Sequence, residues 1–274
     1  IRTLDSTSSS DARNYKEHLQ GVPTNATKLF PDHSPRETVR KAQEQDLNIL
    51  SLTTQNNYLQ VLSSLYSFAT KELDYEGKNP FEGRAETKAA GKLQRDQRDP
   101  FSQKQLETLF SSPLYTGCKT LPSCHLPGSL IPNNSHKYWT PLIALLTGMR
   151  MQEILQLHLE DIYQKEGIWV LDLNTNHHDK RLKSPQSKRL VPLHKKLVEL
   201  GFLKFVEDKR AASNSPRLFD DAKLANDNTY SSTFSKWFSR HLEKLGIKTD
   251  KTSFHSLRHN FKDSFREAGE SDEL

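Results

Sequence analysis

The sequence predicts a mainly α-helical protein with one small antiparallel β-sheet, organised as a helical N-terminal domain followed by a larger α+β domain. Three observations carry this. Apolar residues recur at helical spacing through most of the chain. Strand-like apolar runs are confined to 168–173 and 189–193. A polar, charged stretch almost free of large apolar residues, 82–100, separates two regions that can each build a core. At 274 residues, 34% hydrophobic and 27% charged, the chain has the length and composition for two globular domains. It holds no apolar run of the roughly 18 residues that a membrane-spanning helix needs.

The first domain, 1–84, predicts helices over 12–19, 35–47 and 53–73. In the last, Tyr58, Val61, Leu62, Leu65, Phe68 and Ala69 recur at helical spacing with Tyr66 beside them, the apolar stripe of a small bundle. Asn79-Pro80-Phe81 ends it. Residues 85–99 read as a basic linker. Its Lys88, Lys92, Arg95 and Arg98 could track a phosphate backbone, although charges of this kind are ordinarily those of a solvated linker.

The second domain, 100–274, opens where Ser102 caps a helix carrying Leu106, Leu109 and Phe110. A loop-rich insertion follows over 111–135. An apolar helix, 139–146, stops at Thr147-Gly148, and a second helix, 149–157, places Arg150 and Glu153 on one face. Gly148 permits the sharp junction between them. The two predicted strands flank a basic hairpin tip at 177–188. A single helix is expected over 195–206 and loop over 219–229. Another helix, 233–245, carries Phe234, Trp237, Phe238 and Leu242 as a core stripe.

The last helix carries two stripes. His255, Arg258 and His259 stand at i, i+3 and i+4, while Phe254, Leu257, Phe261 and Phe265 make an apolar face that can bury itself and hold the cationic one in place. Thr252 and Ser253 are the expected N-caps, which would set the positive end of the helix dipole beside His255 and Arg258. Such a face suits an anion, phosphate first.

Charge is distributed accordingly. The net charge is +5, yet residues 1–84 carry 10 Lys/Arg against 11 Asp/Glu, whereas 177–196 carry 7 against 1 and 234–266 carry 8 against 3. A polyanionic partner is expected at the C-terminal part. Cys118 and Cys124 are the only cysteines, too few for a disulfide scaffold, and with His125 and His136 they match no standard zinc spacing.

Three signals thus stand in order: Thr147-Gly148-Met149-Arg150-Met151-Gln152-Glu153, a lysine in a basic hairpin, and His255-Ser256-Leu257-Arg258-His259. Together they resemble the tyrosine recombinase, or phage-type integrase, family, whose marks are a TGxRxxE box, a hairpin lysine and an HxLRH box. The resemblance implies a helical core-binding (SAM-like) domain over 1–84 and an α+β catalytic domain over 100–274. It implies Arg150 and Arg258 on the non-bridging oxygens of a scissile DNA phosphate, where guanidinium donors stabilise developing charge without a metal or other cofactor. His255 would bond the phosphate and assist proton transfer, and Glu153 and His259 would support from behind. The lysine that protonates the departing 5′ oxygen is assigned to Lys183, with Lys180 and Lys188 as alternatives. Lys180, Arg181, Lys188, Arg95 and Arg98 are expected to contact DNA.

The sequence departs from that pattern in one respect. The family's nucleophilic tyrosine follows the HxLRH box, but the last tyrosine here is Tyr230, and 16 residues follow Arg258. The expectation is a site-specific recombinase, truncated, that binds double-stranded DNA without cleaving it, in the bacterial cytoplasm and off the membrane, and that forms a homotetramer on DNA when full length. Two rivals share the constellation: a type IB topoisomerase-like enzyme, and a non-catalytic DNA-binding accessory protein.

Overall fold

Serine caps decide where the helices begin. In the computed structural model, which describes residues 4–86, 98–212 and 215–269, Ser8, Ser34 and Ser102 each accept the backbone N–H three residues on. The residue there, Asp11, Glu37 or Gln105, bonds back to the serine N–H. The chain folds as two units, Ile1–Lys92 and Leu93–Leu274.

The first unit holds α1 (Ser9–Leu19), α2 (Ala26–Leu29), α3 (Pro35–Glu44) and α4 (Leu52–Glu72). Ala12, Leu19, Leu59, Tyr66 and Phe81 form its core. Helix α3 stops short of the expected 47 because Asp46 takes a left-handed conformation, φ 49°, and Leu47 N–H turns back to the Ala42 carbonyl. The stripe expected on α4 divides. Leu59, Tyr66 and Ala69 are buried, whereas Tyr58, Val61, Leu65 and Phe68 are exposed. Two neighbouring apolar stripes wrap this helix, and a bundle this small covers one of them.

In the second unit the order is α5 (Gln103–Phe110), α6 (Pro113–Thr116), α7 (His136–Thr147), α8 (Met151–Leu155), β1 (Ile162–Lys165), β2 (Ile168–Leu173), β3 (Arg189–Pro192), α9 (Lys195–Glu199), α10 (Phe202–Ala212), α11 (Ser231–Lys244) and α12 (His255–Glu267). The sheet is antiparallel in the order β1-β2-β3. Strand β1 escapes sequence reading because it is four residues of mixed polarity, but the turn that makes it is legible. Lys165 pairs with Ile168, and between them Glu166 and Gly167 have φ 51° and 80°, a primed two-residue hairpin turn. The helix expected over 195–206 is two, broken where Gly201 has φ 87°.

The core of this unit runs from Phe101 and Trp139 through Ile143, Ile154 and Leu171 to Phe202, Phe238 and Leu257. Helix α7 buries most of its length in it and ends at Gly148, φ 63°. A Cβ at Gly148 would collide with the Phe261 ring, so α12 lies directly on this turn. The cap of α12 differs from expectation. Thr252 spends its hydroxyl on Thr249, and Ser253 donates its N–H to Ser256 Oγ at 3.0 Å, so neither side chain caps the helix.

Candidate active site

Site construction starts at the α7–α8 junction. Gly148 turns the chain, and Arg150 becomes the N-cap of α8, its N–H donating to Glu153 Oε2 at 2.9 Å and its Nη1 to Glu153 Oε1 at 2.8 Å. Glu153 is 3% exposed and also accepts Arg189 Nη2 at 3.0 Å. Burial alone would raise the Glu153 pKa, but the hydrogen bonds from Arg189 and Arg150 outweigh it and hold the carboxyl below the usual carboxylate range. One buried carboxylate therefore orients two guanidinium groups, as the spacing predicts for Arg150 and as no spacing could predict for Arg189.

Helix α12 brings the second box to the same place. Arg258 Nη1 donates to the Gly148 carbonyl, the turn that precedes Arg150. A carbonyl satisfies the donor without neutralising its charge. Burial and then the neighbouring Arg150 lower the Arg258 pKa, with Arg189 adding and Glu153 opposing. His255 is pushed down to about 4, first by partial desolvation, then by His259, Arg258, Arg150 and Lys262. The residue is exposed, and water moderates the desolvation, but the neighbours that repel a proton fix the direction. His255 is then a neutral imidazole at neutral pH, with His259 edge-on at 5.1 Å. The His259 pKa is lowered too, by burial and by Lys262 and Arg258 against the pull of Asp263.

Arg150, Arg258, Arg189 and His255 thus converge, with Glu153 as the carboxylate among them. Like charges crowded this way favour an anion between them. Arg150 and His255 stand in an open groove of about 1100 Å³, together with Lys223, Asn226 and Lys236. Arg258 and Arg189 also line a smaller, mostly apolar cavity of about 430 Å³ between β3 and α12, with Val191, Phe261 and Phe265.

The hairpin between β2 and β3 divides the remaining expectations. Lys183, Lys188 and Arg181 are exposed, and among the described residues no bond joins the Lys183 ammonium to the arginines. Lys180 does not face outward as expected. It is 5% exposed and ion-paired to Asp161, at 2.6 and 2.7 Å to the two carboxylate oxygens, with Asn174 Oδ1 at 3.0 Å. A buried ammonium persists only where paired and fully hydrogen-bonded, so Lys180 is withdrawn both as a DNA contact and as an alternative to Lys183. Arg98 is exposed and donates to the Asp250 carbonyl at 3.0 Å. Arg95, with Lys88 and Lys92, lies outside the described residues. Sequence reading missed Lys223 and Lys236 as groove residues, and the signal available was only their place on either side of Asn226–Thr233. Cys118 and Cys124 are buried with Leu114 in an apolar cluster, where Cys124 Sγ approaches His241 Nδ1 at 3.7 Å.

The integrase of the transposon Tn1549, solved in complex with transposon right end DNA, is 18% identical, with a TM-score of 0.58 over 98% of this chain and 76% of that one. The XerH site-specific recombinase bound to palindromic difH substrate is 16% identical, with a TM-score of 0.59 over 98% of this chain and 65% of that one. These likenesses define the fold: a mostly helical tyrosine recombinase architecture with a small antiparallel sheet. A sequence search of the curated proteins finds no match. The model of the phage integrase family matches residues 129–273, more than half of the chain, and the chain belongs to that family of tyrosine recombinases.

Proposed function

We propose that the protein is a site-specific recombinase that cleaves and rejoins double-stranded DNA through a 3′-phosphotyrosyl intermediate, in the integration or excision of a mobile element. The observation that carries this is the convergence of Arg150, Arg258 and His255, from motifs about a hundred residues apart, beside an open cationic groove. In the proposed step a tyrosine oxygen bonds to phosphorus and passes its proton to His255, which is neutral and able to accept it. The bond from phosphorus to the 5′ oxygen breaks, and that oxygen takes a proton from Lys183. Arg150 and Arg258 stabilise the charge that gathers on the non-bridging oxygens. Glu153 holds Arg150 in place, Arg189 adds positive charge, and Lys223, Lys236, Arg181 and Lys188 meet flanking phosphates.

No tyrosine lies beyond Tyr230 in these 274 residues, so on this reading they bind duplex DNA without forming the phosphotyrosyl bond. Four full-length copies would meet around two duplexes. The test is a nicked duplex whose cleavage is irreversible, analysed on a denaturing gel. The full-length gene product should be trapped covalently on the 3′ end, and these 274 residues alone should shift the duplex without being trapped. Covalent trapping of the 274 residues would overturn the missing nucleophile. Failure of the full-length product to trap any site would overturn the recombinase in favour of an accessory DNA-binding protein.

A further inference from the structure

Residues 174–188 join β2 to β3 and carry Lys183. A fifteen-residue surface connection is ordinarily mobile, but this one is fixed on both sides of the lysine. On the near side, Lys180 is buried against Asp161, and Asn174 bonds both members, donating to Asp161 Oδ1 at 2.9 Å and accepting from Lys180 Nζ at 3.0 Å. Asp179 adds a second tie, accepting from Arg217 Nη1 at 3.2 Å and lying 3.0 Å from His158 Nε2. One residue past Lys180, the Arg181 N–H donates to Gln156 Oε1 at 2.9 Å. Gln156 is buried and is the C-cap of α8, the helix whose N-cap is Arg150. On the far side, Ser187 is buried in the turn begun by Pro185, and Arg189 reaches Glu153. Between these anchors lie residues 182–186, with Lys183 exposed among them.

We propose that Gln156 and the Lys180–Asp161–Asn174 cluster are positioning residues for Lys183: they lock the hairpin to the helix that carries Arg150, so that the ammonium is delivered to the departing 5′ oxygen. This rests on the assignment of Lys183 as proton donor given above. A free fifteen-residue loop would spread its tip over many positions, and small misplacements of a catalytic group cost rate steeply. The buried lysine also makes the register of the hairpin unambiguous, because slipping by one residue would strand a buried carboxylate.

The test separates delivery of a proton from general damage. Cleavage by the full-length gene product is measured on an ordinary phosphodiester and on a substrate whose bridging 5′ oxygen is replaced by sulfur. When the P–S bond breaks, the thiolate leaves without a proton, since thiols ionise near pH 8.5 whereas alcohols do so far higher. Lys183→Ala should slow the phosphodiester about 100-fold or more and leave the sulfur substrate near the parent rate. Gln156→Leu, which deletes the acceptor without adding charge, should lose about ten-fold on the phosphodiester and nothing on the sulfur substrate, and Gln156→Glu should restore the rate. Asn174→Ala, which leaves the Lys180–Asp161 pair in place and so threatens folding least, should behave like Gln156→Leu.

If Lys183→Ala is slow on both substrates, the assignment of Lys183 fails and the inference with it. If Lys183→Ala is rescued by sulfur but Gln156→Leu and Asn174→Ala are equally slow on both substrates, or match the parent on both, the assignment stands and the positioning role is overturned.

Discussion

At the scale of single residues, charge placement does most of the work, and the sequence shows it only in part. The spacing of Arg150 with Glu153, and of His255 with Arg258, was legible because both pairs are local on one helix. That Glu153 also holds Arg189, and that Arg258 reaches the Gly148 carbonyl, was not, because side chains from distant segments meet only through tertiary packing. Lys180 shows the converse failure. One lysine among several in a basic hairpin gives no sign that it alone is buried, since its partner Asp161 lies before β1. Replacing Arg258 with Ala should weaken duplex binding only a few-fold, since many cations share the backbone contacts, while on the proposed recombinase reading it should lower the cleavage rate of a form that carries the nucleophilic tyrosine about 100-fold or more, the scale of losing one oxyanion donor. Single-turnover kinetics on a nicked duplex would show this. The imidazole of His255 should titrate below the ordinary histidine range, near pH 4, in the free protein, and upward of that with a DNA phosphate in place. NMR titration of the ring carbon protons checks both.

At the scale of elements, most helices could be read from periodicity and serine caps, whereas their exposed faces and breaks could not. Tyr58, Val61, Leu65 and Phe68 repeat as regularly as the residues that α4 buries, so pattern alone could not choose the inner face. Gly201 splits α9 from α10 by its φ, a choice the sequence permits but does not compel. Gly148 is more constrained, requiring a left-handed turn and also close contact with Phe261. Gly148→Ala should therefore cost about 1–3 kcal/mol of stability, measured as a lower urea midpoint, and should loosen α12 where Arg258 is mounted, weakening DNA binding more than Gly201→Ala does.

At the scale of the whole molecule, the C-terminal concentration of charge predicts how binding responds to solution conditions. Duplex affinity should fall linearly with the logarithm of salt concentration, with a slope of about −0.9 per phosphate neutralised. The joint replacement of Lys223 and Lys236 with Ala should flatten that slope in fluorescence-anisotropy titrations. Acid should act on stability through His241, which is buried and whose pKa is lowered to about 4 by desolvation and then by His125, Lys244 and Lys137. Its folded pKa lies below the unfolded value near 6.5, so the unfolded chain binds more protons between pH 6.5 and 4, and stability is lost as pH falls through that window. In the His241→Gln variant, urea midpoints should differ less between pH 7 and pH 5 than in the parent.

The bond from Arg258 to the Gly148 carbonyl has an architectural corollary. It welds the turn of one motif to the helix of the other across 110 residues of chain, so the two halves of the site cannot mature separately during synthesis. A ribosome that has released residues through α8 has made Arg150 and its Glu153 partner without Arg258, and the anion cradle closes only when α12 emerges. Two separately expressed fragments, parted in the exposed turn at 226–228 between α10 and α11, should consequently regain full DNA binding only when mixed, each contributing a guanidinium that the other keeps in register.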